Sequence, residues 1–285
     1  MPELPEVETT IKGLAPFLEN SDIKKVTLNR KNLRFDFPKG FAKKLEGQKI
    51  THISRRAKYL LFNLSNNSTW ISHLGMSGNF RIIKEGDAHN PKKHDHVEVT
   101  LSNNENKIFT LIYSDPRRFG FMDLTNDISN NKFLAKLGVE PLGNQFNVKH
   151  LTDKLAKSNS SIKSALLNQS IIAGLGNIYV CETLWRAGIH PSIIAKTLVS
   201  KNNKANKRLE ILVPAITDIL QAAIIAGGST LNDFHNVKGE QGYFQHSFDV
   251  YGREGKKCNK TACGGIIKRI SQSGRSSFYC EICQK

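Results

Sequence analysis

The chain begins Met1-Pro2-Glu3-Leu4-Pro5-Glu6-Val7-Glu8, and this stretch predicts the first element of the fold. Proline near the first turn, with glutamates beside the positive end of a helix dipole, is an ordinary helix-start signal. The apolar residues that follow recur at the spacing of one helix face. They are Val7, Ile11, Leu14 and Leu18. The sequence therefore predicts an amphipathic helix from Pro5 onward.

The same stretch offers a nucleophile if Met1 is removed, because Pro2 then carries a free secondary amine. Amines of this kind form Schiff bases with carbonyl-like carbons, and a neighbouring Glu3 can transfer protons. An α-amino group titrates near pH ~7.7–8.0, so part of it is neutral at cellular pH. If Met1 stays, the Pro2 nitrogen is a tertiary amide and the stretch is only a helix start.

The length and composition are those of a globular protein. The 285 residues allow two domains, and the chain is 39% hydrophobic and 23% charged. No apolar run approaches the ~20 residues needed to cross a bilayer. The N-terminus also lacks the apolar segment of a signal peptide. We therefore expect a cytoplasmic protein with no membrane partner.

Charge indicates the class of partner. Lysine and arginine number 41 against 25 aspartates and glutamates, which gives a formal net charge of +16 and a pI near 9.7. A chain this basic suggests a polyanion, with DNA or RNA favoured over a membrane because no basic amphipathic anchor is evident. The alternative is a generally basic surface that only keeps the protein soluble.

Four of the five cysteines lie in the last 28 residues, in the pattern C-x4-C-x16-C-x2-C. Two close pairs at this separation can hold one tetrahedral zinc ion. The alternative, two disulfides, is not normally kept in a cytosolic chain. Four thiolates leave no open coordination position, so we expect a structural role. The ligands are Cys258, Cys263, Cys280 and Cys283.

A β-hairpin is predicted between the two cysteine pairs, with Arg275 at its tip. Cys181 stands apart from these pairs, in an apolar helical stretch, and is most simply a small buried hydrophobe. A loop arginine is usually just solvated. A metal-fixed hairpin would instead hold Arg275 where it could meet a phosphate or a groove.

The segments 51–65, 69–83, 97–102 and 108–115 alternate apolar and polar residues, which predicts an antiparallel sandwich or barrel. Within them, Lys58 follows a basic strand start and is either an ordinary exposed lysine or a phosphate or acid–base group. The glycine-flanked turn His73–Gly78 would expose His73 and Met76. A second loop, Asp115–Gly120, sets two arginines beside Phe119, as a wedge into a base stack requires.

Helices are predicted in the second half, over 161–168, 177–187 and 205–226. The glycines before Asn177 would present free backbone N–H groups to an anion at a helix start. The segment 227–247 is longer than a simple connection requires, which suggests a functional lid.

Together these motifs, in this order, resemble the bacterial formamidopyrimidine-DNA glycosylases, repair enzymes that excise 8-oxoguanine and ring-opened purines. The resemblance covers essentially the whole chain. It implies an α+β fold with an N-terminal antiparallel β-sandwich and N-terminal helix, then a helix-two-turn-helix domain that ends in a zinc-bound β-hairpin. It also implies a two-domain clamp with DNA in a basic cleft. The expected domains are 1–133, a linker over 134–150, 151–235, and 236–285 with the lid end and zinc finger.

The resemblance also implies roles for single residues. Pro2 would attack C1′ of the damaged nucleotide, and Glu3 would donate a proton. Lys58 would serve β-elimination, while Arg275 would hold a phosphate and take part in δ-elimination. Glu6 would lie near the damaged base. The implied DNA contacts are His94, Arg117, Ser158 and Asn177, and the residues that would fill the space left by a flipped base are Met76, Arg117 and Phe119.

The implied partner is double-stranded DNA with oxidised bases or abasic sites, bound by a monomer that associates with the bacterial nucleoid. Two departures from the family pattern are present. The first cysteine pair is separated by four residues where many members have two, although both fall within zinc spacing. Where the family often has a basic DNA contact, this chain reads Lys157-Ser158-Asn159, so the contact falls to Ser158 or to Lys157.

Two rival functions stay open. The first is a sister enzyme of the endonuclease VIII type, which removes oxidised pyrimidines by the same proline chemistry. The second is a zinc-stabilised DNA-binding protein without catalysis, in which Pro2 and Glu3 only start a helix. The second rival leaves unexplained why an amine and an acid lie together at the terminus of a DNA-binding chain.

Overall fold

A computed structural model describes residues 2–88, 90–229 and 242–285, and these form two compact units. Unit 1 contains the residues up to Ala135 and the described part of Ala226–Tyr243. Unit 2 contains Lys136–Ile225 and Phe244–Lys285. Across these described ranges, no helix is long and apolar enough to span a membrane. The domain boundaries expected from the sequence stay predictions.

Unit 1 is built mainly of antiparallel strands. Its described elements are α1 Leu4–Leu18, β1 Ser21–Leu28, α2 Phe41–Leu45, β2 Lys49–Arg56, β3 Tyr59–Leu64, β4 Thr69–His73, β5 Asn79–Lys84, β6 Asp95–Ser102, β7 Ile108–Ser114 and β8 Phe121–Thr125. The strand order is β5-β7-β6-β1-β2-β3-β4-β8. Strands β1 and β2 pair through only two residue pairs, so the sheet divides there into two four-stranded halves.

The two halves pack face to face, as a sandwich requires. The rings of Phe62 and Trp70 from one half lie with their centroids 6.0 and 6.4 Å from that of Phe80 in the other. All three belong to one buried cluster that also includes residues of α1. The antiparallel sandwich predicted from the alternating segments is confirmed.

Helix α1 covers this core with the face that the sequence predicted. Val7, Ile11, Leu14 and Leu18 are all buried, and each such side chain stabilises the fold by about 1.5–3 kcal/mol. The helix begins at Leu4, one residue before Pro5, with Glu3 as its N-cap. The helix therefore fixes the position of the chain's first residues on the sandwich.

The strands also follow the sequence, with two additions. The segments 51–65 and 69–83 are each divided by a turn into two strands, and 97–102 and 108–115 form β6 and β7. Strands β1 and β8 were not predicted. In β1 a register shift between Ile23 and Lys25 turns two consecutive lysines to solvent. Such a bulge interrupts the two-residue alternation on which strand prediction depends.

Unit 2 is helical and ends in a hairpin. Its described elements are α3 Val148–Leu155, α4 Ile162–Leu167, α5 Asn177–Arg186, α6 Lys207–Ile225, β9 Ile267–Gln272 and β10 Arg275–Cys280, with short 3-10 turns at Ala195–Leu198 and Phe244–Ser247. Side-chain caps start α3 and α4, because Asn147 accepts from the His150 N–H and Ser161 from the Ser164 N–H. The three predicted helices are present as α4, α5 and α6.

The predicted lid falls largely outside the described residues, since 230–241 are among those that the structure does not describe. The same holds for Met1 and for His89. The prediction of a functional lid over 227–247 therefore stays a prediction.

Candidate active site and metal centre

The N-terminal residues of unit 1 are held at the start of α1. Pro2 and Glu3 are both buried, and the Glu3 backbone is extended. The Glu3 N–H donates to Oε2 of Glu6 at 2.8 Å, which is one half of a capping box. A potential amine and an acid are thus set side by side at the positive end of a helix dipole. Proton transfer between neighbouring groups becomes feasible in this arrangement.

Glu6 also holds a distant part of unit 1. Its Oε1 accepts from the backbone N–H of Ser229 at 2.8 Å and from the Ser229 hydroxyl at 3.0 Å. Both residues are buried. Sequence reasoning expected Glu6 near a damaged base, which stays a prediction, and it missed Ser229. A serine 223 positions away carries no local signal of this contact.

Lys58 lies in the two-residue turn between β2 and β3, where Ala57 has a left-handed φ of 53°. The Lys58 side chain is buried, so it is not an ordinary exposed strand lysine. Arg55 donates from Nε to Oε2 of Glu8 at 2.8 Å and from Nη1 to the Ala57 carbonyl at 3.1 Å. Because Glu8 belongs to α1, Arg55 connects this helix, whose N-cap is Glu3, to the turn that contains Lys58.

His73 ends strand β4 next to this turn. Burial, together with the positive charges of Lys58 and Arg34, lowers its pKa to about 4. Its Nδ1 accepts from the Gly75 N–H at 3.0 Å, which requires an unprotonated Nδ1. His73 therefore supports the turn that carries Met76 as a neutral ring near pH 7.

The two predicted wedge loops meet through a buried carboxylate. Asp115 accepts from the Ser77 hydroxyl at 2.6 Å and from the Gly120 N–H at 2.8 Å. The Ser77 oxygen in turn accepts from the Arg117 N–H at 3.1 Å. A Cβ on Gly75 would lie 2.3 Å from Gly120 N, so the two backbones touch where only glycine fits.

This contact brings the three predicted wedge residues onto one pair of loops. Met76 and Phe119 are 37% and 42% exposed, so both apolar side chains are accessible on the surface of these loops. The Arg117 guanidinium lies 4.9 Å from the Phe119 ring centroid. Exposed apolar groups beside a cation are suited to insertion between stacked bases, where they meet both π faces and phosphates.

His94 precedes β6 and is partly exposed, and its carbonyl accepts from the Asp115 N–H at 3.1 Å. Its neighbour Asp95 is held by two guanidinium bonds from Arg81. Burial alone would raise the pKa of Asp95, but hydrogen bonds from Arg81 and Ser114 outweigh it and lower the pKa to about 2. A permanently charged pair thus fixes the segment that carries His94 beside the second wedge loop.

In unit 2, Asn177 begins α5 directly after Gly174-Leu175-Gly176. Its Nδ2 donates to the Ser276 carbonyl at 3.0 Å, while its buried Oδ1 has no hydrogen-bond partner among the described residues. Lys163, which is 1% exposed, donates to the Ser276 carbonyl at 2.9 Å and to the Ser277 hydroxyl at 2.6 Å.

These bonds hold the start of β10, where Arg275 is exposed. Sequence reasoning missed Lys163. The available signal was a lysine set among apolar residues of a predicted helix. Ser158 lies between α3 and α4, and its hydroxyl contacts the Ser160 hydroxyl at 2.9 Å. Whether Ser158 or the exposed Lys157 meets DNA stays a prediction.

The four C-terminal cysteines form one cluster. Their sulfur atoms all lie within 4.8 Å of one another, with separations of 3.5 Å for Cys263–Cys280 and 3.8 Å for Cys258–Cys283. A disulfide would need about 2.05 Å. Four thiolates at ~2.3 Å from a central Zn²⁺ would lie about 3.8 Å apart. The geometry fits one tetrahedral zinc, and the predicted structural zinc centre is confirmed.

The surroundings of this cluster fit a closed metal site. A Cβ on Gly265 would lie 2.5 Å from the Cys280 sulfur, so the knuckle needs glycine there. The Cys280 N–H donates to Gln284 Oε1 at 2.8 Å, which closes the turn of the last cysteine pair. With four protein ligands the ion would have no open position, and its contribution is to hold the hairpin.

Comparisons with known protein families agree along the chain. Residues 1–122 match the formamidopyrimidine-DNA glycosylase N-terminal domain, 137–235 match the formamidopyrimidine-DNA glycosylase H2TH domain, and 255–285 match the zinc finger found in FPG and IleRS. These three matches fall on the sandwich, the helical segment and the cysteine cluster.

Named relatives and solved structures cover the chain from end to end. It is 48% identical over 297 residues to formamidopyrimidine-DNA glycosylase of Chelativorans sp. and 50% identical over 293 residues to that of Bartonella quintana, with 100% of each chain covered. It is also similar to Lactococcus lactis Fpg bound to abasic-site DNA (TM-score 0.87, 35% identity) and to DNA with an oxidised pyrimidine (TM-score 0.86, 36% identity), each with full coverage of both chains.

Proposed function

Because the chain belongs to the formamidopyrimidine-DNA glycosylase family, we propose that it is a bifunctional DNA glycosylase and abasic-site lyase of base excision repair. Its substrate would be double-stranded DNA with oxidised purines, namely 8-oxoguanine and formamidopyrimidines, or with abasic sites. It would act as a monomer on chromosomal DNA in the bacterial cytoplasm. The observation that carries the proposal is the buried Pro2–Glu3 pair at the start of α1.

The first step would be attack of the Pro2 nitrogen on C1′ of the damaged nucleotide. A new N–C1′ bond forms as the bond from C1′ to the base breaks, and the proton released by the amine leaves with the base. The C1′–O4′ bond then breaks as Glu3 donates a proton to O4′ and the nitrogen lone pair forms the C=N bond. The product is a cationic iminium, which is a strong electron sink. The capping bond from Glu3 N–H to Glu6 supports this role, because it orients the two residues before substrate arrives.

Strand cleavage would follow from the iminium. Loss of a C2′ proton expels the 3′ phosphate in β-elimination, with Lys58 as the acid–base group. A second elimination expels the 5′ phosphate, with Arg275 holding the phosphate, and leaves a one-nucleotide gap. Burial of Lys58 and the anchoring of β10 by Lys163 and Asn177 support these roles.

Access to C1′ would require that the damaged nucleotide leave the duplex. Extrusion costs a few kcal/mol in general, and inserted side chains recover part of it. Met76, Arg117 and Phe119 would fill the vacated space, which is supported by their exposure on loops joined through Asp115. Glu6 would lie near the extruded base, and His94, Ser158 and Asn177 would contact DNA. Zn²⁺ would supply no chemistry and would hold the hairpin that carries Arg275.

The direct test is borohydride trapping on a duplex with 8-oxoguanine opposite cytosine, followed by mass mapping of the cross-linked peptide. We expect one covalent adduct, at Pro2. The matched control is the same protein with an uncleaved N-terminal extension, in which the Pro2 nitrogen is an amide; it should give no adduct. An adduct on a lysine would contradict the assignment of Pro2 as the nucleophile. No adduct, while the duplex is still bound tightly, would favour DNA binding without catalysis.

The endonuclease VIII type is separated from the purine-directed type by substrate. We expect faster excision from 8-oxoguanine duplexes than from thymine glycol duplexes under single-turnover conditions. The reverse order would leave the Pro2 chemistry intact and overturn the purine preference.

A further inference from the structure

Helix α5 is bonded to the C-terminal segment at both of its ends. At its start, the Asn177 side chain donates to the Ser276 carbonyl at 3.0 Å, one residue from Arg275. At its other end, the Trp185 indole N–H donates to the sulfur of Cys258 at 3.3 Å. Cys258 is one of the four cysteines of the zinc cluster. The helix therefore begins at Asn177, a predicted DNA contact, and near its other end carries Trp185, which bonds to a zinc ligand.

We propose that Trp185 is an outer-shell group of the zinc centre, which holds the Cys258 thiolate and joins zinc occupancy to the position of α5. A zinc-bound thiolate keeps negative charge and can still accept a hydrogen bond, here from the Trp185 N–H. Outer-shell donors of this kind fix the orientation of a ligand, and their loss commonly weakens metal binding 10- to 100-fold.

The Trp185 ring is itself held by the knuckle that it supports. Lys260, between Cys258 and Cys263, donates from Nζ to the Trp185 carbonyl at 2.9 Å, and its ammonium lies 5.0 Å from the indole ring centroid. Trp185 also belongs to a buried cluster with Cys280 and Cys181. A ring fixed by a hydrogen bond, a cation–π contact and packing presents its N–H in one direction.

The consequence for DNA contact follows from the stiffness of a helix. The ten residues of α5 span about 15 Å, with backbone bonds that move as one body. If the zinc knuckle holds one end through Trp185, zinc also fixes where Asn177 and the neighbouring hairpin lie. This consequence rests on the proposed function, whereas the contribution of Trp185 to zinc binding does not.

The test compares two single substitutions in the zinc-loaded protein, without DNA. Trp185→Phe keeps an aromatic ring and removes the N–H. The matched control is Trp70→Phe, because the Trp70 Nε1 is buried and makes no hydrogen bond among the described residues. Zinc affinity is measured by competition with a chromophoric chelator. We expect about a tenfold weaker affinity for Trp185→Phe and the wild-type value for Trp70→Phe. Wild-type affinity in Trp185→Phe would overturn the proposal.

A second measurement uses the control variant and does not require Trp185→Phe to fold. The chain has two tryptophans, so Trp70→Phe leaves Trp185 as the single one. Removal of zinc with a chelator is expected to shift its fluorescence emission to longer wavelength as the ring leaves the knuckle, and addition of Zn²⁺ should restore it. Emission that does not change on zinc removal would overturn the proposal. Both readouts are independent of DNA, so failure of the glycosylase activity would not affect them.

Discussion

Arg55 holds two parts of the candidate active site with one side chain. Its guanidinium reaches Glu8 on α1 and the carbonyl of Ala57 in the Lys58 turn. The planar guanidinium presents several donors in a fixed fork, which a lysine ammonium cannot reproduce. The side chain is only 10% exposed, so the pair with Glu8 is shielded from solvent. Arg55 is therefore expected to position Lys58 relative to the helix that carries Glu3.

Arg55→Lys is predicted to slow cleavage at a preformed abasic site about tenfold to a hundredfold, because a displacement near 1 Å is enough for such a loss. The measurement is single-turnover strand cleavage, with affinity for an uncleavable abasic analogue as the control that should not change. Glu8→Gln should give a similar loss, and the double variant should lose less than the sum of both. Cleavage at the wild-type rate in Arg55→Lys would show that the hydrogen bonds of Arg55 to Glu8 and Ala57 do not position Lys58.

At the scale of elements, the turn after β4 depends on a neutral histidine. The Gly75 N–H donates to Nδ1 of His73, so protonation of this nitrogen removes the bond. Burial, with the charges of Lys58 and Arg34, lowers the pKa of His73 to about 4. The turn that presents Met76 is therefore intact at neutral and mildly acidic pH.

Stability is predicted to fall as the pH drops from about 6.5 to about 4, because the unfolded chain then binds a proton that folded His73 does not. The loss from this residue is at most about 3 kcal/mol. His73→Asn keeps a short acceptor and does not titrate, so it should lose less stability over this range. Denaturant unfolding at pH 7, 5.5 and 4.5 measures the difference. Parallel losses in the two proteins would contradict the assignment.

Helix α5 also organises the segment that precedes the zinc knuckle. Glu182 is buried and accepts the backbone N–H groups of Asp249, Val250 and Tyr251 at 2.9, 3.0 and 2.7 Å. Burial raises the pKa of Glu182, and these three hydrogen bonds oppose the rise. Three consecutive donors meeting one carboxylate give the loop a single arrangement against the helix.

Glu182→Gln is predicted to lower the free energy of unfolding by about 1–3 kcal/mol, because its amide nitrogen would face a backbone donor and leave it unpaired. The control is Glu210→Gln, an exposed glutamate of α6, for which a change within about 0.5 kcal/mol is expected. Chemical denaturation of the zinc-loaded protein measures both. Equal stability of the two variants would show that the carboxylate is not needed for the loop.

At the scale of the whole molecule, the net charge of +16 should dominate DNA affinity. Each phosphate neutralised by a side chain adds about −0.9 to the slope of log affinity against log salt for a duplex. This salt dependence can show whether Lys157 or Ser158, which lie between α3 and α4, contacts the DNA. Lys157→Ala is predicted to make the slope less steep by about 0.9 if Lys157 meets a phosphate. Ser158→Ala would instead lower affinity equally at every salt concentration if the serine hydroxyl makes the contact.

Affinity is measured on one duplex with an abasic analogue, from low to moderate salt. A changed slope in Lys157→Ala with an unchanged Ser158→Ala protein assigns the contact to the lysine, and the opposite pattern assigns it to the serine. If neither variant differs from the wild type, neither Lys157 nor Ser158 contacts DNA.

The sequence by itself determined the features that depend on local spacing. The buried face of α1 follows a helical period, the cysteine pairs have the separation of a zinc knuckle, and the glycine-flanked turns lie where the backbone needs them. Three of the four main helices of unit 2 and most strands of unit 1 follow in the same way. Each of these signals is contained within a few residues or a few turns of chain.

Only the tertiary structure decided how the predicted residues are held. Ser229 meets Glu6 across 223 positions, Lys163 meets Ser277 across 114, and Arg55 meets Glu8 across 47. These hydrogen bonds depend on the packing of whole elements. No local sequence pattern encodes which distant side chain will form the hydrogen bond. The reacting groups of the candidate site are therefore visible in the sequence, whereas the contacts that orient them exist only once the core has formed.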